Sequence, residues 1–336
     1  MATFIGLSAC SQGVTTGTST STAIVAPPTT SSATIPSGDA AIFDVHEWGL
    51  VDVAGAQARV LAGPPAGATN WNAPRRKPVL YFHLADGTSD VDVSVTIQVA
   101  PPGIVEHFPV GVLGTDPTEL TWSGLRLRTG HCPVGEVPAR EAPGCKTADG
   151  ICEAAELKTY ETSDATCIHT SAGDFNHLFY RATGPAPTLP FDVTPKDGAL
   201  VVAHARAADV VGSILWVHNE AGAVTVSIIA PPAVGGHIEV SPPKDTDVTS
   251  AQAALDASMR DTGLTDAEIQ AFDRAWANDL FGRNAARDAP ARRGLPGPQD
   301  YLLFALPQSM MGGASEVTIT PAPRTLKRFM LVRLAV

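Results

Sequence analysis

Between Val91 and Val99 every odd position is aliphatic (Val91, Val93, Val95, Ile97, Val99) and every even one is polar (Asp92, Ser94, Thr96, Gln98). A period of two sends successive side chains to opposite faces of an extended chain. This segment therefore buries its apolar row only as a β-strand with one solvated face. Comparable short runs recur at 42–53, 79–85, 105–110, 119–127, 177–182, 199–207, 213–218, 223–229, 237–240, 301–306, 315–320 and 326–335, separated by Pro, Gly, Asp or Asn clusters. So many short strands with turn residues between them predict a mainly β fold, an antiparallel β-sandwich or sandwiches. At 336 residues and 44% hydrophobic composition, the chain has enough apolar surface to bury one large core or two smaller ones.

The period changes near residues 249–282. Thr265-Asp-Ala-Glu268 has the form of a capping box, and Ile269, Phe272, Trp276 and Leu280 follow at helical spacing, with Gly282 as the stop. A shorter helix is expected over 249–260, where Ala251, Leu255 and Met259 share a face. The chain then divides into a leader and tether (1–40), β-rich regions (41–128 and 171–245) and a Cys-rich loop segment between them (129–170). A helical insertion with a Pro/Arg-rich loop (246–298) and terminal strands completing the sheets (299–336) follow.

The first charged residue is Asp39, and fourteen of the twenty-eight residues in 11–38 are Ser or Thr, which is the composition of a linker. Ahead of it, Leu7-Ser8-Ala9-Cys10 resembles a bacterial lipobox, in which the Cys thiol accepts the lipid. Residues 1–40 thus read as a truncated lipoprotein-type signal and tether. Only nine residues precede Cys10, too few for a basic region and an apolar stretch, as expected of a start codon assigned too late. The expected address is extracytoplasmic, lipid-anchored to the bacterial cell envelope, with the membrane surface and an envelope partner or substrate as contacts.

Cys132, Cys145, Cys152 and Cys167 fall within 36 residues of Pro/Gly-punctuated sequence. Their gaps lack the C-x2–4-C knuckles of a zinc site, which favours two disulfides. Cys132–Cys145 with Cys152–Cys167 is one of three connectivities.

With 23 Lys+Arg against 34 Asp+Glu, net charge −11, the chain has no basic footprint for nucleic acid. It has no G-x-S-x-G elbow, no G-x-G-x-x-G and no G-K-[ST] loop, which counts against hydrolase-elbow, dinucleotide and P-loop chemistry. His46-Glu47 is not a zincin motif, because Leu50 stands where the second His would be. Asp86-Gly-Thr-Ser-Asp90-Val-Asp92 fits a hairpin turn better than a Ca²⁺ loop.

In Phe43–Val53, Glu47 shares a parity with Phe43, Val45, Val51 and Val53. A carboxylate on such a face has to be paired, protonated or bound to metal. His46, Trp48 and Leu50 take the other face, unless Gly49 marks a bulge. His83, His107 and His177 also lie in strand-like positions. His46, Glu47, His83, His107 and His177 are therefore candidate ligands for Zn, Cu or Fe, and Glu47 and Glu106 are candidate acid–base carboxylates. An ordinary strand His is a satisfied, part-buried polar group, and that reading stands beside the metal site.

Val45-His-Glu-Trp-Gly49, Lys77-Pro-Val-Leu-Tyr-Phe82, Glu106-His-Phe-Pro109, Leu178-Phe-Tyr-Arg181 and the helix near Trp276 together resemble a group of uncharacterised bacterial extracytoplasmic proteins opening with Val-His-Glu-Trp-Gly. The resemblance implies secretion and a β-rich fold, and no activity. Two functions follow: an envelope-tethered, disulfide-stabilised binding or structural module, or a metal-dependent extracytoplasmic hydrolase or oxidase using a His/Glu cluster.

Overall fold

The computed structural model describes residues 42–53, 75–76, 78–88, 90–132, 154–220, 223–281 and 300–336. Cys10, Cys145, Cys152 and Gly282 lie outside them. The described elements are β1 (Phe43–Val53), β2 (Arg75–Arg76), β3 (Val79–Leu84), β4 (Val91–Gln98), β5 (Gly103–Phe108), β6 (Val112–Leu113) and β7 (Glu119–His131), followed by α1 (Ala154–Thr159), β8 (Thr166–Thr170) and β9 (Gly173–Phe175). Then come β10 (Leu178–Thr183), β11 (Phe191–Lys196), β12 (Ala199–His204), β13 (Ile214–Glu220), β14 (Ala223–Ile229) and β15 (His237–Val240). The chain continues through α2 (Val248–Thr262), α3 (Asp266–Phe281), β16 (Asp300–Ala305), a 3₁₀ turn (Gln308–Gly313), β17 (Glu316–Thr320) and β18 (Thr325–Ala335).

Nine strands make the main sheet. Its order runs β14-β13-β16-β18-β1 and on through β2, β10 and β3, with β3 also paired to β1 and β5 at the edge on β10. Each of its pairings is antiparallel except β1 with β18, which run parallel in unbroken register from Asp44↔Thr325 to Val53↔Leu334. The mainly antiparallel sandwich therefore carries one parallel seam at its centre. A second sheet, β17-β4-β7-β8-β9 with β6 on β7, and a third, β11-β12-β15, complete the strands.

The residue parity of β1 explains the layering. Phe43 and Val45 pack with Leu80 and Phe82 against Val93, Val95, Ile97, Leu120 and Trp122 of the second sheet. Val51 and Val53 pack with Leu302, Phe304 and Val332 against Phe191, Val193, Leu200 and Val202 of the third. On the opposite face, Trp48 and Leu50 meet Ala251, Leu255 and Met259 of α2 and Ile269, Phe272 and Trp276 of α3. The main sheet is thus sandwiched by two small sheets on one side and by helices on the other, and β1 is buried on both faces. Parity holds straight through Gly49, so it marks no bulge. The glycine is there for space: a Cβ would lie 2.8 Å from Met330 Sδ and 3.1 Å from Pro78 Cα.

The helical insertion forms as its sequence dictates. Asp247 caps α2 by accepting from the Ser250 amide at 3.0 Å, and Gly263, at φ 94°, ends it in the left-handed conformation. Thr265 Oγ1 accepts from the Glu268 amide at 3.2 Å, while Glu268 Oε2 accepts from the Thr265 amide at 2.8 Å, the two halves of a capping box.

Asp86 and Gly87 lie in the turn joining β3 to β4, with Gly87 at φ 74°. In the Cys-rich segment, Cys132 is bonded to Cys167. Of the three connectivities left open by the sequence, this excludes Cys132–Cys145 with Cys152–Cys167: Thr166↔His131 and Cys167↔Arg128 are register partners of β7 and β8, so the sheet itself brings Cys167 beside the end of β7. No described helix is long and apolar enough to cross a membrane.

Candidate metal centre

His46 and His83 reach one point from neighbouring strands. His46 is opposite Tyr81, and His83 is opposite Asp44, in the antiparallel β1–β3 pair. The two imidazoles are therefore diagonal neighbours on the helix-covered face, with ring centroids 4.5 Å apart. Glu268 comes down onto them from the first turn of α3. Its Oε1 and Oε2 lie 3.0 and 2.9 Å from His46 Nδ1, and Oε1 lies 2.8 Å from His83 Nε2. All three ligand atoms fall within 4.8 Å of one another.

The electrostatics are those of a charged cluster behind an apolar wall. Burial pushes the Glu268 carboxyl up, but hydrogen bonds from His46 and His83 outweigh it and hold its pKa at about 2. Burial opposes a charge on His83, yet the Glu268 hydrogen bond and charge, with the Asp164 carboxylate and backbone behind, raise its pKa above the ordinary value. The Asp164 backbone also supplies the kind of second contact that fixes the ring orientation of a metal-bound His.

Two imidazoles and a carboxylate are a ligand set for Zn²⁺, Cu²⁺ or Fe²⁺. In the hydrogen-bonded form each ring donates an N–H to Glu268. A dication with ligand bonds of about 2.0–2.1 Å would take the place of those protons and would need ligand atoms about 3.3 Å apart, a few tenths of an ångström wider than the two Glu268–His contacts.

The other sequence candidates lie elsewhere. Glu47 points to the opposite face of β1, where it forms an ion pair with Arg328 and accepts a hydrogen bond from Tyr180 Oη at 3.1 Å. Arg328 in turn donates to Ser315 O and Oγ at 3.0 and 2.7 Å. Burial and the Glu47 charge push the Tyr180 phenol well above its ordinary range. Glu106 is paired with Arg181 at 2.5 Å, so each proposed acid–base carboxylate faces an arginine. His107, opposite Tyr180 in the sheet, has its ring 6.4 Å from Trp122. His177 sits among Tyr81, Phe108 and Tyr160 and donates from Nδ1 to Asn176 Oδ1 at 2.9 Å. Burial holds its pKa down at about 3.

Glu268 is the member of this group that sequence reasoning passed over. Its capping-box role was legible and accounts for one carboxylate contact, and nothing in local spacing signals that the same group also meets two strands more than 180 residues away. The available signal is helical phase: Glu268 stands four residues before Phe272 and so lies on the side of α3 that carries the apolar stripe.

No protein-family model matches the chain, and no curated protein matches it. Among solved structures it is similar to the Fcho1 Mu homology domain (Danio rerio) with bound Eps15 peptide, at 9% identity over 88% of this chain and 97% of that one, with a TM-score of 0.27. A likeness that loose carries no argument.

Proposed function

We propose that this chain is an extracytoplasmic metal-binding β-sandwich protein, tethered to the cell envelope through Cys10 and the Ser/Thr-rich segment, with His46, His83 and Glu268 holding one divalent transition metal. One observation carries the metal reading: three ligand atoms from three separate elements converge within 4.8 Å, beside an aromatic and aliphatic cluster on the helix-covered face. Zn²⁺ is the ion of choice, since two His and one Glu form a recurrent zinc ligand set. Lipid attachment is supported by Leu7-Ser8-Ala9-Cys10 and the uncharged linker behind it. The Cys132–Cys167 bond supports an oxidising compartment.

A purely structural reading has its own observation. The same His46–Glu268–His83 hydrogen bonds tie the start of α3 to β1 and β3 without any ion. Elemental mass spectrometry on the full chain produced in an oxidising compartment separates the two. The metal reading expects about one equivalent of metal, lost in both His46→Ala and His83→Ala while cooperative unfolding is retained. Metal-free wild-type protein whose thermal midpoint ignores a chelator overturns it.

A further inference from the structure

A structural zinc centre closes its tetrahedron with four protein ligands, whereas a centre that does chemistry keeps three and leaves a position for water or substrate. Here, among the described residues, no fourth His, Cys, Asp or Glu joins the group. The three ligands are unevenly covered. The Glu268 side chain is wholly buried, His46 is 7% exposed and His83 18%, so the helix walls the site and His83 is the ligand nearest solvent.

A cation stands beside it. Lys327 is the register partner of His46 across the parallel seam, so the two side chains leave the same face of the sheet. Its half-buried ammonium donates to Gly263 O at 3.3 Å. Gly263 is two residues before Thr265, whose amide donates to Glu268. The Lys327 stem is closely seated there: a Cβ on Gly263 would lie 2.7 Å from Nζ. A dication balanced by one carboxylate would leave an excess positive charge, and Lys327, whose ammonium is held by the Gly263 carbonyl and has no carboxylate partner among the described residues, adds to it.

Building on the metal reading above, we propose that the centre is an open one, whose ion keeps one exchangeable position for the oxygen of a small oxyanion, a carboxylate or a phosphate, with Lys327 as the second contact. Water fills that position otherwise, and its acidity is raised by the ion.

The test uses the full chain loaded with Co²⁺, whose visible bands report its coordination, and titrates azide, acetate and inorganic phosphate. The expected result is saturable Co²⁺ binding and bands that shift to a limit with each anion. Acetate and phosphate distinguish the two ligand sources. Lys327→Met, which keeps the aliphatic stem, is expected to weaken phosphate binding about tenfold, the loss of one charge-assisted hydrogen bond, with Co²⁺ stoichiometry unchanged. Bands that ignore all three anions on a Co²⁺-saturated protein overturn the open position and leave the metal reading intact. Failure to take up Co²⁺ at all overturns the metal reading and this inference with it. An unchanged phosphate affinity in Lys327→Met overturns the role of Lys327.

Discussion

Glu47 and Arg328 are register partners in the parallel seam of β1 and β18, and their side chains form an ion pair beneath the second and third sheets, 281 residues apart in sequence. His46, one residue away, faces the helices instead. Adjacent residues of one strand thus serve a buried structural pair and a candidate metal site on opposite faces of the same sheet.

Because the Arg328 guanidinium is buried and its described partners are Glu47, Ser315 and the nearby Tyr180, Glu47→Ala is expected to cost about 3–5 kcal/mol in urea unfolding, the usual effect of stranding one member of a buried pair. Replacing both, as Glu47→Leu with Arg328→Met, is expected to recover most of that loss. A single variant within about 0.5 kcal/mol of wild type would show the pair to be energetically idle.

Thr265 and Glu268 allow the cap to be separated from the ligand. Thr265→Ala removes the acceptor for the Glu268 amide and is expected to cost about 1 kcal/mol of stability, with metal affinity nearly unchanged. Glu268→Gln keeps an acceptor for the Thr265 amide and is expected to lower metal affinity by about 100-fold or more. Competition against a chromophoric chelator reads both, and equal affinity losses in the two variants would contradict the division of roles.

His177 predicts a pH dependence. Its pKa is about 3 in the folded protein against an ordinary 6.5, so the unfolded chain takes up the proton first. Stability from this group is complete above pH 6.5 and falls by about 1.4 kcal/mol per unit as pH drops toward 3. His177→Phe, which suits the surrounding rings, is expected to flatten that part of the slope between pH 6.5 and 4.5. Parallel slopes for wild type and variant in urea titrations would refute the assignment.

The Cys132–Cys167 bond closes a loop of sequence separation 35. Chain-entropy arguments give such a closure about 4 kcal/mol. Cys132→Ala with Cys167→Ala is expected to lower stability by that order, read from the urea midpoint. A loss under about 1 kcal/mol would mean that β7 and β8 hold this region without it.

Much of the sheet structure was legible because each strand carries its own period. The alternation of Val91–Val99 became β4, and the capping box at Thr265 became the start of α3. Phe191–Lys196 escaped notice because Pro195 demotes a strand pattern, and β11 tolerates it as an edge strand of its sheet. The need of Glu47 for a partner was readable from parity, but the partner was not, since Arg328 is set by the register of a distant strand. The same limit hid Glu268 from the metal set. It also made Glu47, His107 and His177 look equivalent to His46 and His83, when only the pairing of β1 with β3 decides which imidazoles meet.

The parallel seam also sets an order of events. Synthesis makes β1 before any other described strand, yet its neighbour β18 emerges after all the rest, bringing Phe329, Leu331, Arg328 and Lys327 with it. Until then β1 lacks its partner along that edge, Glu47 lacks the Arg328 charge, and the face beside His46 lacks Lys327 and Phe329. Closure of the central sheet thus depends on the last described strand, and a chain cut before Thr325 would lack both the seam and the Arg328 charge.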